Sequence, residues 1–174
     1  MYKHILLTTD FSPEAERAVP FALELAALTG APVDLLHVLE HSEMDFGQDL
    51  FGISLSWMAW VERERRRLRD ELASRVEALR GGCKVNVKAA LREGSAAHEI
   101  VEYATAEKID CIVMATHGRS GISRFALGSV AERVVRHSPC AVLIVPGKIA
   151  PIAQPRIKKL ESADFAMPWA SAAH

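Results

Sequence analysis

The sequence predicts an α/β fold, an open doubly wound sheet of five parallel strands with helices on both faces. Three observations carry that expectation. Strand-like and helix-like periods alternate over residues 3–146. The strand segments are mostly short apolar runs, as expected where helices cover both faces of a sheet. The stretch from Asp110 to Ala131 runs from an apolar strand through Gly118 and Gly121 to Gly128-Ser129, which opens a helix. A strand that turns through glycines onto a helix start is a common way to hold phosphate, because the unpaired first-turn N–H groups point at the anion. The aligned peptide dipoles add roughly half a positive charge there.

The elements follow in order. Ile5 to Thr9 is the first strand. Ser12 is an N-cap and Pro13 a first helical residue, and Ala15, Ala18, Val19, Ala22, Leu25 and Ala26 form one helical stripe. Gly30 is the C-cap. Val33 to Val38 is the second strand, and residues 39–54, with Gly47 and Gly52, read as an inserted loop. A long helix from about Ser56 to Arg80 turns Val61, Leu68, Leu72, Val76 and Leu79 to one side, and Gly81-Gly82 stop it. Its run Glu62 to Arg67 mixes both signs at helical spacing, which describes a solvated face better than a basic patch.

Val85, Val87, Ala89 and Leu91 alternate as a third strand. Ser95 caps a helix that turns Ile100, Val101 and Ala104 inward. Cys111 to Ala115 is the fourth strand, Ser129 to Arg136 the fourth helix and Ala141 to Val145 the fifth strand. Residues 1–146 make one domain. Residues 147–174, with Pro151, Pro155 and Pro168, fit no further unit and read as a tail or docking arm.

Composition narrows the function. The chain has 174 residues, 49% of them apolar and 25% charged, enough for a single domain with a real core. A formal net charge of −1 argues against nonspecific nucleic-acid binding. Cys83, Cys111 and Cys140 lack metal-type spacing and read as reduced thiols, which suits a cytoplasmic protein. No secretory signal is expected at the N-terminus, and no segment approaches the ~20 apolar residues of a membrane span.

In a doubly wound sheet, ligands bind at the carboxyl ends of the strands, where the strand order reverses. Those ends carry Thr8-Thr9-Asp10, Val38-Leu39-Glu40, Glu93-Gly94-Ser95 and Thr116-His117-Gly118. An acid after the first strand and a glycine loop after the fourth suit the sugar and phosphates of one nucleotide. Support for catalysis is thin: neither a Gly-x-x-x-x-Gly-Lys loop nor a Gly-x-Gly-x-x-Gly fingerprint occurs. His117 and Asp10 offer at most slow phosphate hydrolysis, and no metal-ligand set accompanies them. His37-Val38-Leu39-Glu40-His41 matches a zinc-peptidase spacing, but that chemistry needs both histidines on a helix, and here they end a strand. Trp57 and Trp60 are expected to pack in the core.

Leu7 to Ser12, Leu36-His37-Val38 and Met114 to Val134 together resemble the universal stress protein family, over residues 2–146. The nucleotide-binding branch of that family carries three glycines, with two residues between the first two and nine before the third, which precedes Ser or Thr. Gly118, the nine residues Arg119 to Leu127, and Gly128-Ser129 match the later part, while Ala115 stands at the first glycine position. The resemblance implies a Rossmann-like fold of the adenine nucleotide alpha hydrolase type that binds ATP, with Mg²⁺ carried by the nucleotide. In that pattern Asp10 holds a ribose hydroxyl, and Thr8, Thr9 and Val38 lie about the adenine. Ala115, Thr116, His117, Gly118, Arg119 and Gly121 run beside the ribose and α-phosphate, and Gly128, Ser129 and Val130 meet the outer phosphates. It also implies a homodimer paired through Ala141 to Val145 and a regulatory role toward a protein partner. The alternatives are the same fold without nucleotide, acting through protein contacts, and a sensor of AMP or cyclic AMP.

Overall fold

A computed structural model describes residues 2–40, 55–82, 85–116 and 127–146. The expected glycine-loop residues His117, Gly118, Arg119 and Gly121 lie outside them, as do Trp57's side chain, most of the 39–54 loop and the 147–174 tail. Five strands, β1 (Ile5–Thr8), β2 (Val33–Leu39), β3 (Val87–Glu93), β4 (Cys111–Ala115) and β5 (Ala141–Val145), form one sheet. All its pairings are parallel, in the order β3-β2-β1-β4-β5. The chain winds outward from β1 to β3, returns to the other side of β1 for β4, and ends at β5. The order therefore reverses between β1 and β4.

The expected first helix is two helices, α1 (Pro13–Glu16) and α2 (Val19–Thr29). Pro20 explains the break: it has no N–H to bond back to the preceding turn. Ser12 caps α1 as predicted, its hydroxyl accepting from Ala15 N–H at 3.1 Å. Gly30 ends α2 in the left-handed conformation, at φ 73°. The remaining helices are α3 (Leu55–Gly82), α4 (Ala96–Ala106) and α5 (Ser129–His137).

Period-two alternation in the strands divides the core between the two faces of the sheet. Ile5, Leu7, Leu35 and Val113 meet Ala22 and Ala26 of α2 and Leu72 and Val76 of α3. Leu6, Leu36, Ile112 and Met114 meet Ile100 and Tyr103 of α4 and Val134 of α5. Two arginines pin α3 along β3. Arg65 forms a fork on Glu93, at 2.5 and 2.9 Å, while Arg80 donates twice to the Val87 carbonyl, at 2.7 and 3.0 Å.

Trp60 corrects the core expectation: it is 42% exposed in the first turns of α3. Cys111 is buried, and burial pushes its thiol up to about 11. It faces one side of the sheet and Cys140 the other, so the two do not bridge.

Buried Asp34 is unexpected in the apolar second strand. Its Oδ2 accepts from the Tyr103 hydroxyl at 2.9 Å and pairs with Lys88 Nζ at 3.2 Å. His4 Nε2 lies 3.0 Å from the same oxygen without the alignment of a hydrogen bond. His4 Nδ1 donates to the Glu107 carbonyl at 3.2 Å, and Asp110 accepts from the Lys3 and His4 amides. All these groups stand at the amino end of the sheet.

Candidate functional site

A cleft of about 490 Å³ opens at the carboxyl end of the sheet, where β1 and β4 part. That volume suits a small-molecule ligand. Its floor and walls bring together most of the described residues singled out in the sequence: Thr8, Thr9, Asp10, Val38, Ala115, Thr116, Gly128, Ser129 and Val130. Leu36, Leu39, Ile100 and Met114 supply apolar surface.

Three helix starts stand close to the cleft, and two are filled by this chain's own side chains. At α1, Asp10 Oδ1 accepts from the Ser12 amide at 3.0 Å and its hydroxyl at 2.6 Å, while Ser12 caps Ala15. At α4, the predicted cap is wrong in one respect: Ser95 holds the N-cap position but makes no side-chain bond. Glu40, from the end of β2, accepts from the Ala96 amide at 2.9 Å instead. Sequence reasoning placed Glu40 at a strand end and missed its capping role, because the two residues are 56 positions apart.

The start of α5 differs. Its N-cap is Gly128, in extended conformation at φ −61° and ψ 152°, which brings no side chain to the first-turn amides. Gly128 N–H donates to the Thr116 carbonyl at 2.8 Å, and Thr116 N–H to the Val145 carbonyl at 2.9 Å, so the helix entrance is fixed to the end of β4. Arg136 and His137 in the last turn complement the dipole at the other end. With the Gly128 N–H used by Thr116, the first-turn amides that face the cleft begin at Ser129, on a helix start fixed to the sheet.

Ala115 is a strand residue paired in register with Val145. Among the described residues, only Phe11 and Lys108 are non-glycine residues at positive φ. The alanine at the first glycine position therefore carries no backbone strain.

The corner after β1 is tightly held. Phe11 sits at φ 63° and its amide donates to Thr9 Oγ1 at 3.0 Å. No signal in the sequence marks that conformation. Glu64 and Arg67 of α3 also line the cleft, joined as a two-bond fork at 2.6 and 3.0 Å. The hydrogen bond to Glu64 raises the Arg67 pKa against the desolvation that lowers it. The solvated-face reading of this run holds for Glu62, Arg63 and Arg66 but misses that Glu64 and Arg67 border the cleft. Among the described residues no cluster could hold a metal ion, and no helix is long and apolar enough to cross a membrane.

The fold and the cleft define a class: a doubly wound α/β protein with a ligand cleft at its switch point and a helix N-terminus facing it. The family follows from comparison with known proteins. The model of the universal stress protein family matches residues 1–146, and the chain belongs to that family. It is 32% identical over 145 residues to universal stress protein A homolog 1 of Coxiella burnetii, covering 83% of this chain and 96% of that one. It is 31% identical over 159 residues to universal stress protein MJ0577 of Methanocaldococcus jannaschii, covering 85% and 97%. The solved structure of MJ0577 superposes with a TM-score of 0.69, over 86% of this chain and 99% of that one. A universal stress protein of Archaeoglobus fulgidus solved in complex with dAMP shares the fold, with 23% identity, a TM-score of 0.57 and coverage of 82% and 97%.

Proposed function

We propose that the cleft binds ATP, with its phosphates at the start of α5, and that occupancy regulates a surface offered to a protein partner. One observation carries this reading. Of the three helix starts near the cleft, only that of α5 has an N-cap without a side chain, and it lies across the β1–β4 junction from Asp10. Asp10 would receive a ribose hydroxyl, and Thr8, Thr9 and Val38 would flank the adenine. Ala115 and Thr116 would run beside the ribose and α-phosphate, with His117, Gly118, Arg119 and Gly121 continuing that path. Gly128, Ser129 and Val130 would meet the outer phosphates, and Mg²⁺ would arrive on the nucleotide. The dAMP complex of the Archaeoglobus relative, at 23% identity, speaks only to the fold that carries such a ligand.

Binding rather than turnover fits the side chains nearest the sugar end. Asp10 Oδ1 already accepts two hydrogen bonds from Ser12, and His37 Nδ1 is engaged by the Thr9 carbonyl at 2.8 Å. Both groups are used to hold the corner. We further assign the protein to the cytoplasm and to a homodimer formed through β5. That strand is a sheet edge, and Leu143 on it is 38% exposed; pairing with a second copy would cover it.

Calorimetric titration of nucleotide-stripped protein with Mg·ATP tests the reading. The expected result is one site per chain with a dissociation constant in the micromolar range, on the order of −8 kcal/mol. Ser129→Ala should weaken ATP and leave AMP unchanged. Binding that Ser129→Ala barely changes would favour an AMP or cyclic AMP sensor, and no heat at all would leave a protein that acts through contacts alone. ATP turnover abolished by Asp10→Asn would overturn the regulatory mechanism.

A further inference from the structure

We propose that His37 is the positioning residue of this cleft, fixing the Thr9–Asp10 corner in the conformation a bound nucleoside meets; the proposal rests on the nucleotide reading above. The β1–β2 ladder ends at the Thr8–Leu36 pair, followed by a last bond from Thr9 N–H to the Leu36 carbonyl at 2.9 Å. Beyond it the chain leaves the sheet. There the His37 side chain replaces the ladder: its Nδ1 lies 2.8 Å from the Thr9 carbonyl oxygen. A carbonyl only accepts, so Nδ1 carries the proton and donates it.

The same ring braces the next turn. Phe11, held at φ 63°, lies against His37 with ring centroids 4.4 Å apart and planes inclined at 34°. The Arg75 guanidinium stands 4.9 Å from the Phe11 centroid, and Arg75 is itself paired with Glu16 and Glu71. Asp10 thus sits between two fixed points, the Thr9 carbonyl and the Phe11 ring, with its own Oδ1 tied to Ser12. His37 is buried and borders the cleft, so its part-buried bond to Thr9 stands where the ligand would lie. A carboxylate held in place before binding loses less conformational freedom on binding, and that difference appears as affinity.

Three variants separate positioning from simple packing. Asparagine places an amide N–H near the position of Nδ1, glutamine places it near Nε2, and leucine keeps bulk without a donor. Mg·ATP affinity is expected to fall about tenfold in His37→Leu and His37→Gln, the loss of one hydrogen bond, and to stay within about threefold of wild type in His37→Asn. Amide hydrogen exchange at Phe11 and Ser12 should accelerate in the first two variants and hold in the third. Equal effects in all three folded variants, or none in any, would overturn the proposal, and His37→Gln answers if His37→Leu does not fold. If wild-type protein gives no heat with Mg·ATP, the nucleotide reading fails by itself. The exchange pattern then decides the positioning role: unchanged protection in His37→Gln overturns it.

Discussion

The two ends of the sheet use polar side chains in opposite ways. At the amino end, Tyr103, Lys88 and His4 converge on the buried carboxylate of Asp34, largely side chain upon side chain. At the carboxyl end, Asp10, Ser12, Thr9, His37 and Glu40 each hold a backbone amide or carbonyl of a turn. The first arrangement closes a surface, while the second shapes loops around a cleft and leaves α5 facing it through a glycine. In a parallel α/β sheet the carboxyl end is where ligands go. The amino end can therefore spend its charges on cohesion. The contrast predicts that mutations at the amino end change stability and those at the carboxyl end change binding.

The largest effect should come from Asp34→Ala. It takes the carboxylate from His4 and the Tyr103 hydroxyl, while Lys88, half exposed, keeps Glu107, and losing a buried charged hydrogen-bond acceptor costs about 2–3 kcal/mol. Urea unfolding measures it. The contrast breaks if the loss is under about 1 kcal/mol, or if the folded variant also loses ATP affinity.

Asp10→Ala comes next and belongs to the other end. It removes two hydrogen bonds behind the α1 cap, costing about 1–2 kcal/mol of stability, but nucleotide binding should suffer more visibly, by about tenfold or more. A stability loss with unchanged affinity would place Asp10 with the amino-end residues.

Tyr103→Phe sharpens the contrast through pH. Burial raises the Tyr103 pKa, and the hydrogen bond to Asp34 and its charge act in the same direction. The folded protein therefore holds the phenolic proton more tightly than the unfolded chain. That contribution is complete below the unfolded value near 10 and is lost as pH rises through the folded one. Lys88 acts in the same window: desolvation lowers its pKa, but Asp34 and Glu107 outweigh it and leave it raised. Wild-type stability should fall above about pH 10, and Tyr103→Phe should flatten that fall while costing about 1 kcal/mol at neutral pH. An unchanged alkaline slope would sink the assignment.

Ala115→Gly should do least. With Ala115 paired in an ordinary strand, glycine adds only about 0.5–1 kcal/mol of backbone entropy cost, and ATP affinity should stay within about threefold. A large gain in affinity would mean that the methyl group obstructs the ligand.

The legible parts of the molecule were those written in local chemistry. Ser12-Pro13 announces a helix start, Gly30 a left-handed end, and short apolar runs between helical stripes mark the five strands. Thr8-Thr9-Asp10, Val38-Leu39-Glu40 and Thr116 meet in one cleft because the sheet topology follows from βαβ alternation, whereas Glu93-Gly94-Ser95, at the end of the edge strand β3, do not line it. What escaped depends on distant neighbours or on a second competing local signal. Pro20 sits inside a helical stripe of alanines whose period masks the break. Asp34 looked like an interruption in an apolar strand, since its partners are 30, 54 and 69 residues away along the chain. Trp60 reads as a core residue from its type, yet it stands 42% exposed on α3. The left-handed Phe11 has no propensity behind it and is imposed by the contacts on either side.

The two arginine pins on α3 fix more than its register. Arg65 and Arg80 are fifteen residues apart, about 22 Å of helix, close to the roughly 20 Å between Glu93 and Val87 at the two ends of β3. The ten residues before Arg65 therefore extend α3 by about 15 Å past the sheet. At the inner end of this extension Glu62 is tied to Arg65 and Glu64 to Arg67 by charge. Dissolved ions shorten the reach of such attractions from about 10 Å at 0.1 M salt to about 3 Å at 1 M. The rim of the cleft and the sheet under it thus answer to different variables. Heat and urea act on the sheet, and ionic strength acts first on the rim.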